Sequence, residues 1–351
     1  MPLAMQKLAF MRGTSEGQLE SAPGGSGRSA HFASVLLVLA ATVILLISGA
    51  FEPIEHRLTT IRAQLLDRPP TGEVAIVEID AKSLAEISTW PWSRRHHAQA
   101  LRKLHSSGAV MVAFDVDFSS LSESAGDGDF ADALAKAQPV ILPIFQQRAS
   151  DDPSQQVFVR SRPAKLFDSA WVGGVNIYPE ADGVVREYPA ATMIGGRIQP
   201  SLAVLLAEND DFGDRAFQPD WSIDARRIPR FSFVDVVSGR VPAAAIAGKR
   251  VVIGATAVEL GDRYTIPRFG TVPGVVVQAL AADSLLQHRA LTRSGMLLSL
   301  LGVGLVALLL GAVPFARFNR TFPPAAAAVL ALPAIAAVAI QARWPVSVDT
   351  A

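Results

Sequence analysis

The residues of this chain best placed for chemistry are three aspartates at expected strand ends and one aromatic–basic segment. Asp80 closes one apolar run, and Asp115 and Asp117 close another. In parallel sheets, ligands bind outside the carboxyl ends of the strands. Asp115 and Asp117 are two residues apart on an expected strand, which would place them on one face. Three carboxylates there could coordinate a divalent cation or hold a polar ligand. They could equally cap the following helices, since Asp80 lies three residues before Ser83, an expected helix start. The segment Trp90-Pro91-Trp92-Ser93-Arg94-Arg95 offers two indoles and two guanidiniums that could stack on and pair with an anion. Arginine at a helix start opposes the helix dipole, which points to an acidic partner for Arg94. The bland alternative makes the tryptophans core anchors and Arg94 an internal ion-pair donor.

Other chemistry finds little support. The stretch Gly248-Lys249-Arg250-Val251-Val252-Ile253-Gly254 resembles a phosphate loop, but its lysine precedes the strand, so it reads as turn, strand, turn. No nucleophile elbow and no dinucleotide fingerprint occur in this region. His96 and His97 are adjacent, which is not ligand spacing on a helix. There are no cysteines, which excludes disulfides, thiolate catalysis and cysteine-bound zinc. No cofactor and no metal set is expected. Thirty-two basic residues balance thirty-two acidic ones, so nothing argues for nucleic acid.

The elements that would position these groups alternate between strand and helix. Expected strands cover residues 74–79, 110–118, 140–145 and 250–253; expected helices cover 93–107, 129–137, 201–208 and 275–286. A short polar helix is expected within 52–70. The strands are near-continuously apolar, which predicts an α/β fold with a mostly parallel sheet covered by helices. Residues 171–178 and 184–189 flank the turn signal Asp182-Gly183 and are expected to form a hairpin or looped excursion.

Three apolar runs frame this domain. Half of the residues are hydrophobic, and residues 32–50, 296–313 and 324–340 are long enough to span a bilayer. Lys7, Arg12 and Arg28 precede the first run, and Arg317 and Arg320 lie between the second and third. The positive-inside rule puts both segments in the cytoplasm. The expected organisation is a cytoplasmic tail over 1–31, a transmembrane helix over 32–50, an extracytoplasmic domain over 51–295, transmembrane helices over 296–316 and 324–341 joined by a cytoplasmic loop over 317–323, and a tail over 342–351. Ser48-Gly49-Ala50 would pass as a signal-peptide cleavage site, but the run before it is longer than a usual signal core, which favours a retained anchor. Counting crossings leaves Ala351 outside, so a cytoplasmic output domain would need a further span. The expectation is a chain truncated before that span, or a sensor without an output.

The residues also carry a resemblance. VAIVEID (74–80), WPWSR (90–94), GAVMVAFDVDF (108–118), DGVVR (182–186), PSLA (200–203), GKRVVIG (248–254), DRYTIP (262–267) and VPGVVVQA (272–279), in that order and between such runs, resemble the second type of CHASE domain. These are extracytoplasmic sensory domains of bacterial receptors. The resemblance implies a sensory input module that is not itself an enzyme, sits in the inner membrane, detects an unknown small ligand or envelope signal, and relays it to a cyclase, cyclic-di-GMP enzyme or kinase. It also implies a homodimer. Its motifs add Asp182, Arg186 and Asp262 to the ligand-binding candidates Asp80, Trp90, Trp92, Arg94, Asp115 and Asp117. The competing expectation is a membrane-tethered, metal-dependent hydrolase built on the strand-end carboxylates.

Overall fold

In the computed structural model the described residues are 52–87, 90–148, 158–194, 197–209, 211, 213, 215–293 and 335–347, with six isolated positions between 36 and 50. The elements that build the domain are α1 (Glu52–Leu65), β1 (Val74–Ile79), α2 (Ala81–Glu86), α3 (Arg94–Ser106), β2 (Met111–Asp115), α4 (Ser124–Lys136), β3 (Val140–Arg148), β4 (Phe158–Ser161), β5 (Trp171–Gly174), α5 (Leu202–Ala207), β6 (Arg230–Ser232), α6 (Phe233–Val237), α7 (Ala243–Ile246), β7 (Arg250–Ala255) and α8 (Gly274–Leu286). Among the described residues no helix is long and apolar enough to cross a membrane. The run 296–313 lies wholly outside them, and 32–50 and 324–340 lie mostly outside.

Six strands pair in parallel in the order β6-β1-β7-β2-β3-β5, and β4 adds an antiparallel edge on β3. This is the α/β, mostly parallel sheet that the apolar runs imply. Alternate residues of each strand enter opposite layers. Val74, Ile76, Met111, Ala113 and Val252 join α5 and α8 in one core. Val77, Ile79, Val112, Phe114, Val251 and Ile253 join α3, α4 and α6 in the other.

The helices follow from local chemistry. Ser93 caps α3, and Ala98, Leu101 and Leu104 put an apolar stripe against the sheet, all fully buried. Ser201 caps α5 by accepting from the Val204 N–H. Every residue of α8 from Gly274 to Leu285 is buried, which accounts for a helix that is apolar all round.

One expectation is narrowed and another needs correction. Of the two forms expected for residues 171–178 and 184–189, the looped excursion is found and the hairpin is not, since the two segments do not pair with each other. The turn between them exists, since the Gly183 N–H bonds to Glu180 O at 2.9 Å and Gly183 has φ +79°. However, β5 joins the main sheet beside β3, while Tyr188–Pro189 pairs with Ala216–Phe217. An apolar run does not say whether its partner is local or distant. The correction concerns β2, which ends at Asp115 rather than running to residue 118.

Candidate functional site

Asp80 is taken up by local structure. Its carboxylate accepts from the Ser83 N–H at 2.8 Å and from the Ser232 hydroxyl at 2.9 Å. It therefore caps α2 and ties the end of β1 to the end of β6.

Trp92 is 2% exposed. It stands edge-on to Trp90 at 5.0 Å between ring centroids and lies 4.9 Å from Phe233. His97, 1% exposed, continues the same aromatic cluster beside Phe114 and Phe118. Burial holds its imidazole pKa down to about 3, with the nearby Arg94 and His96 adding to this, so it packs as a neutral ring. Arg94 lies over the Phe118 ring at 4.6 Å, donates to Ser120 O at 3.0 Å, and sits 3.9 Å from Asp127. Burial pulls its pKa down, and Asp127 and Asp117 push it back. The acidic partner is thus Asp127, from α4, with Asp117 adding attraction. Asp117 itself is exposed and accepts from the Ser119 N–H at 2.8 Å.

An Asp80–Asp115–Arg94 cluster is not formed. β7 lies between β1 and β2, so the two aspartates stand about two strand spacings, ~10 Å, apart across the sheet. Because β2 ends at Asp115, Asp117 falls in the turn beyond the ladder, and the two do not form a chelating pair. Among the described residues no group of three or more His, Asp or Glu is placed to hold a metal ion.

Asp115 instead faces Asp262. At the carboxyl end of β7 the chain leaves the sheet, crosses to its other layer and enters α8. Gly254 of β7 allows a close approach there, since a methyl group on it would stand 2.7 Å from Val275 Cβ and 3.3 Å from Asp115 Cβ. Gly274, the first residue of α8, gives its N–H to Asp262 O at 3.0 Å, and a side chain on it would collide with the Asp262 carboxylate. Burial, followed by the Asp262 charge, raises the Asp115 pKa well above the carboxylate range. Burial also raises that of Asp262, against the Gly274 N–H. Tyr264 is pushed up to about 12 by burial and then by both acids. Tyr188, fully buried, donates to Gln278 of α8. The result is an acid pair with two phenols at the carboxyl edge of the central strands, the position where such sheets bind ligands.

Folding takes up protons at this pair, because both acids titrate higher when folded than near 3.8 when unfolded. Its contribution to stability therefore falls as pH rises from about 4 through the raised values. Asp115→Asn is expected to melt higher than the parent at pH 7.5 and to lose that advantage near pH 4. Equal melting at both pH values would mean that the acids do not share a buried site.

Asp182 and Arg186 form a second site. Arg186 holds Asp182 through contacts of 2.7 and 3.0 Å and Glu180 at 2.7 Å. This pairing holds the Asp182 pKa down to about 2. His56 of α1 approaches Glu180 at 3.6 Å and Asp182 at 3.7 Å. An open groove of about 1020 Å³ lies between α1 and this turn. The motif over 182–186 named Asp182 and Arg186 as ligand-binding candidates through the resemblance alone; their pairing with each other, the part of Glu180 and the contribution of α1 were not read from the sequence.

A family model described as CHASE2 domain matches residues 35–313. The chain belongs to the CHASE2 domain family. The match begins inside the first hydrophobic run and ends at the close of the second, so it takes in the whole α/β domain. CHASE2 domains are extracytoplasmic sensory domains, which agrees with a non-catalytic sensor role for this chain. No curated protein and no solved structure matches it.

Sequence reasoning missed one further feature of this CHASE2 domain. Asp220, fully buried, accepts from Arg289 Nε at 2.9 Å and lies 3.5 Å from Arg68 Nε. The same two arginines donate to the backbone carbonyls of Gln341 and Ala342. Val346–Ser347 then pairs in parallel with Thr292–Arg293. The late segment 335–347 is thereby fastened to the base of the domain. Isolated arginines far apart in sequence give no periodic signal, so only the fold brings them together.

Proposed function

We propose that the chain is the sensory input module of a bacterial transmembrane receptor. The α/β domain stands outside the inner membrane, the runs 32–50, 296–313 and 324–340 span it, and binding of a small ligand or an envelope signal at the domain biases the spans. The observation that carries this reading is the joint at the domain base. The chain leaves the domain at Arg293 and comes back beside it at Val346, where the two short strands run parallel; two spans crossing in opposite directions would return the chain to the same side in this way. The late segment is held there by the buried Asp220–Arg289–Arg68 cluster. At the other end, Arg268 reaches Ala63 O in α1 at 3.2 Å. Any shift between two states of the domain is therefore felt at both membrane-proximal ends, as a relay requires. The acid pair at the sheet edge is the proposed signal-receiving site.

Fusions test the topology. Alkaline phosphatase joined after Ser347 is expected to be active and a fluorescent reporter there dark, with the reverse after Arg320. An inactive phosphatase after Ser347 would overturn the proposed path.

A further inference from the structure

The hairpin over residues 263–273 stands apart from the main sheet. Its strands, Arg263–Ile266 and Gly270–Pro273, form a two-stranded sheet of their own. Such a hairpin is marginally stable alone in water, so its attachments decide where it lies. At its base is Asp262, the neighbour of Asp115, whose backbone carbonyl accepts from the Gly274 N–H at 3.0 Å. Midway, Thr265 O accepts from the Val185 N–H at 2.8 Å, which ties the hairpin to the turn that carries Asp182. At its tip Arg268 donates to Ala63 O at 3.2 Å, to Ser222 O and to the Asp67 carboxylate.

The tip is built to hold on. Arg268 takes φ +69°, in the left-handed region that glycine enters freely and bulky residues rarely. The chain keeps a side chain there in spite of the strain. The guanidinium lies over the Phe269 ring at 4.9 Å. Ala63 O is one of the last four carbonyls of α1, which have no partner inside the helix, and a cation there meets the negative end of the helix dipole. Ser222 O also accepts from the Arg68 N–H at 2.8 Å, and the Ser222 N–H donates to Asp220 of the buried base cluster at 3.1 Å. One guanidinium thus grips both the end of α1 and the segment that fastens the late residues.

We infer that this hairpin is the lever between the acid pair and the membrane-proximal ends, and that Arg268 is the positioning residue through which the pair acts on α1. This rests on the reading of the pair as the signal-receiving site. Arg268 lies six residues beyond Asp262, ~20 Å along an extended strand, so a small tilt at the base is carried to the tip. The competing route is α8, which also starts at the pair. Every residue of α8 from Gly274 to Leu285 is buried, so it shifts only with the core packed around it. All of the hairpin but Ile266 and Pro267 is exposed or half-buried, and weakly packed elements of this kind are the ones that move. The Thr265–Val185 contact puts the Asp182 turn on the same arm.

Hydrogen exchange of the detergent-solubilised full chain at pH 7.5 tests the lever, with Asp115→Asn as the perturbation. Asp115→Asn is expected to change exchange in the last turn of α1 by roughly threefold or more, and to change it at the start of α8 as well. In an Arg268→Gly background, which relieves the backbone and removes the guanidinium, the change at α1 should vanish and that at α8 should remain. A change at α1 that persists without Arg268 overturns the lever. If Arg268→Gly leaves α1 unprotected, Arg268→Lys decides. It keeps a cation at the helix end but loses the planar fork that holds several acceptors at once, so the change passed to α1 should fall by about half or more. An undiminished change overturns the lever. A silent α1 beside a responding α8 sinks the lever alone. Silence at both sinks the pair as a receiving site, and the lever with it.

Discussion

Asp220→Ala is expected to destabilise the domain by about 3–5 kcal/mol, the usual cost of breaking a buried ion pair by removing one partner. Asp220 has no exposure, while Arg289 is 7% exposed and Arg68 is partly buried beside it. The carboxylate also accepts from Ser222, through its N–H at 3.1 Å and its hydroxyl, so alanine would strand two guanidiniums and two donors at once. Burial and the neighbouring Arg289 charge already pull the Arg68 pKa down, and Asp220 is the group that opposes them. Replacing the pair together, Asp220→Leu with Arg289→Met, should recover much of the loss. Thermal melting of the detergent-solubilised chain reads both. If Asp220→Ala melts with the parent, the cluster carries no stability and is a poor choice of joint.

Trp92→Ala is the second large effect, about 3–5 kcal/mol, from the cavity left among Trp90, His97 and Phe233. Trp90 is less completely covered, so Trp90→Ala should cost less. Urea unfolding of the two variants would show the order. A Trp92→Ala protein that unfolds like the parent would return the indoles to the role of an exposed binding surface.

The strands and helices of this domain were readable because their signals are local. Residues 74–79 form a strand buried but for the partly covered Glu78 and followed by a capping aspartate, and residues 275–286 form a helix that needs apolar neighbours on every side. Both lie where their apolar runs place them. The Gly248–Gly254 stretch was readable as a turn leading into a strand, since Gly248 takes φ +74° and Lys249 donates to Gly72 O at 2.6 Å, but Gly254 lies within the strand and not in a closing turn. What could not be read is which strand lies beside which. Nothing within residues 74–118 says that 250–255 will insert between β1 and β2. That one insertion separates Asp80 from Asp115 and brings Asp262 to Asp115. The buried site was legible as a set of residue types and illegible as a set of neighbours. Asp117 failed for a smaller reason: alternation predicts a shared face only while the strand lasts.

The insertion of β7 also sets the order in which the domain can be completed. A chain emerging from its N-terminus makes β1 and β2 early, yet neither can bond the other, because their common neighbour begins only at Arg250. Until then both strands keep an open edge with unpaired backbone donors and acceptors, the condition that invites mispairing. Closing the sheet means bringing together residues as distant as Val74 and Arg250, and such non-local pairings are slow to form. The middle of the sheet is therefore its last part to close. A chain cut short before Arg250 would lack the centre of its fold as well as its C-terminal end.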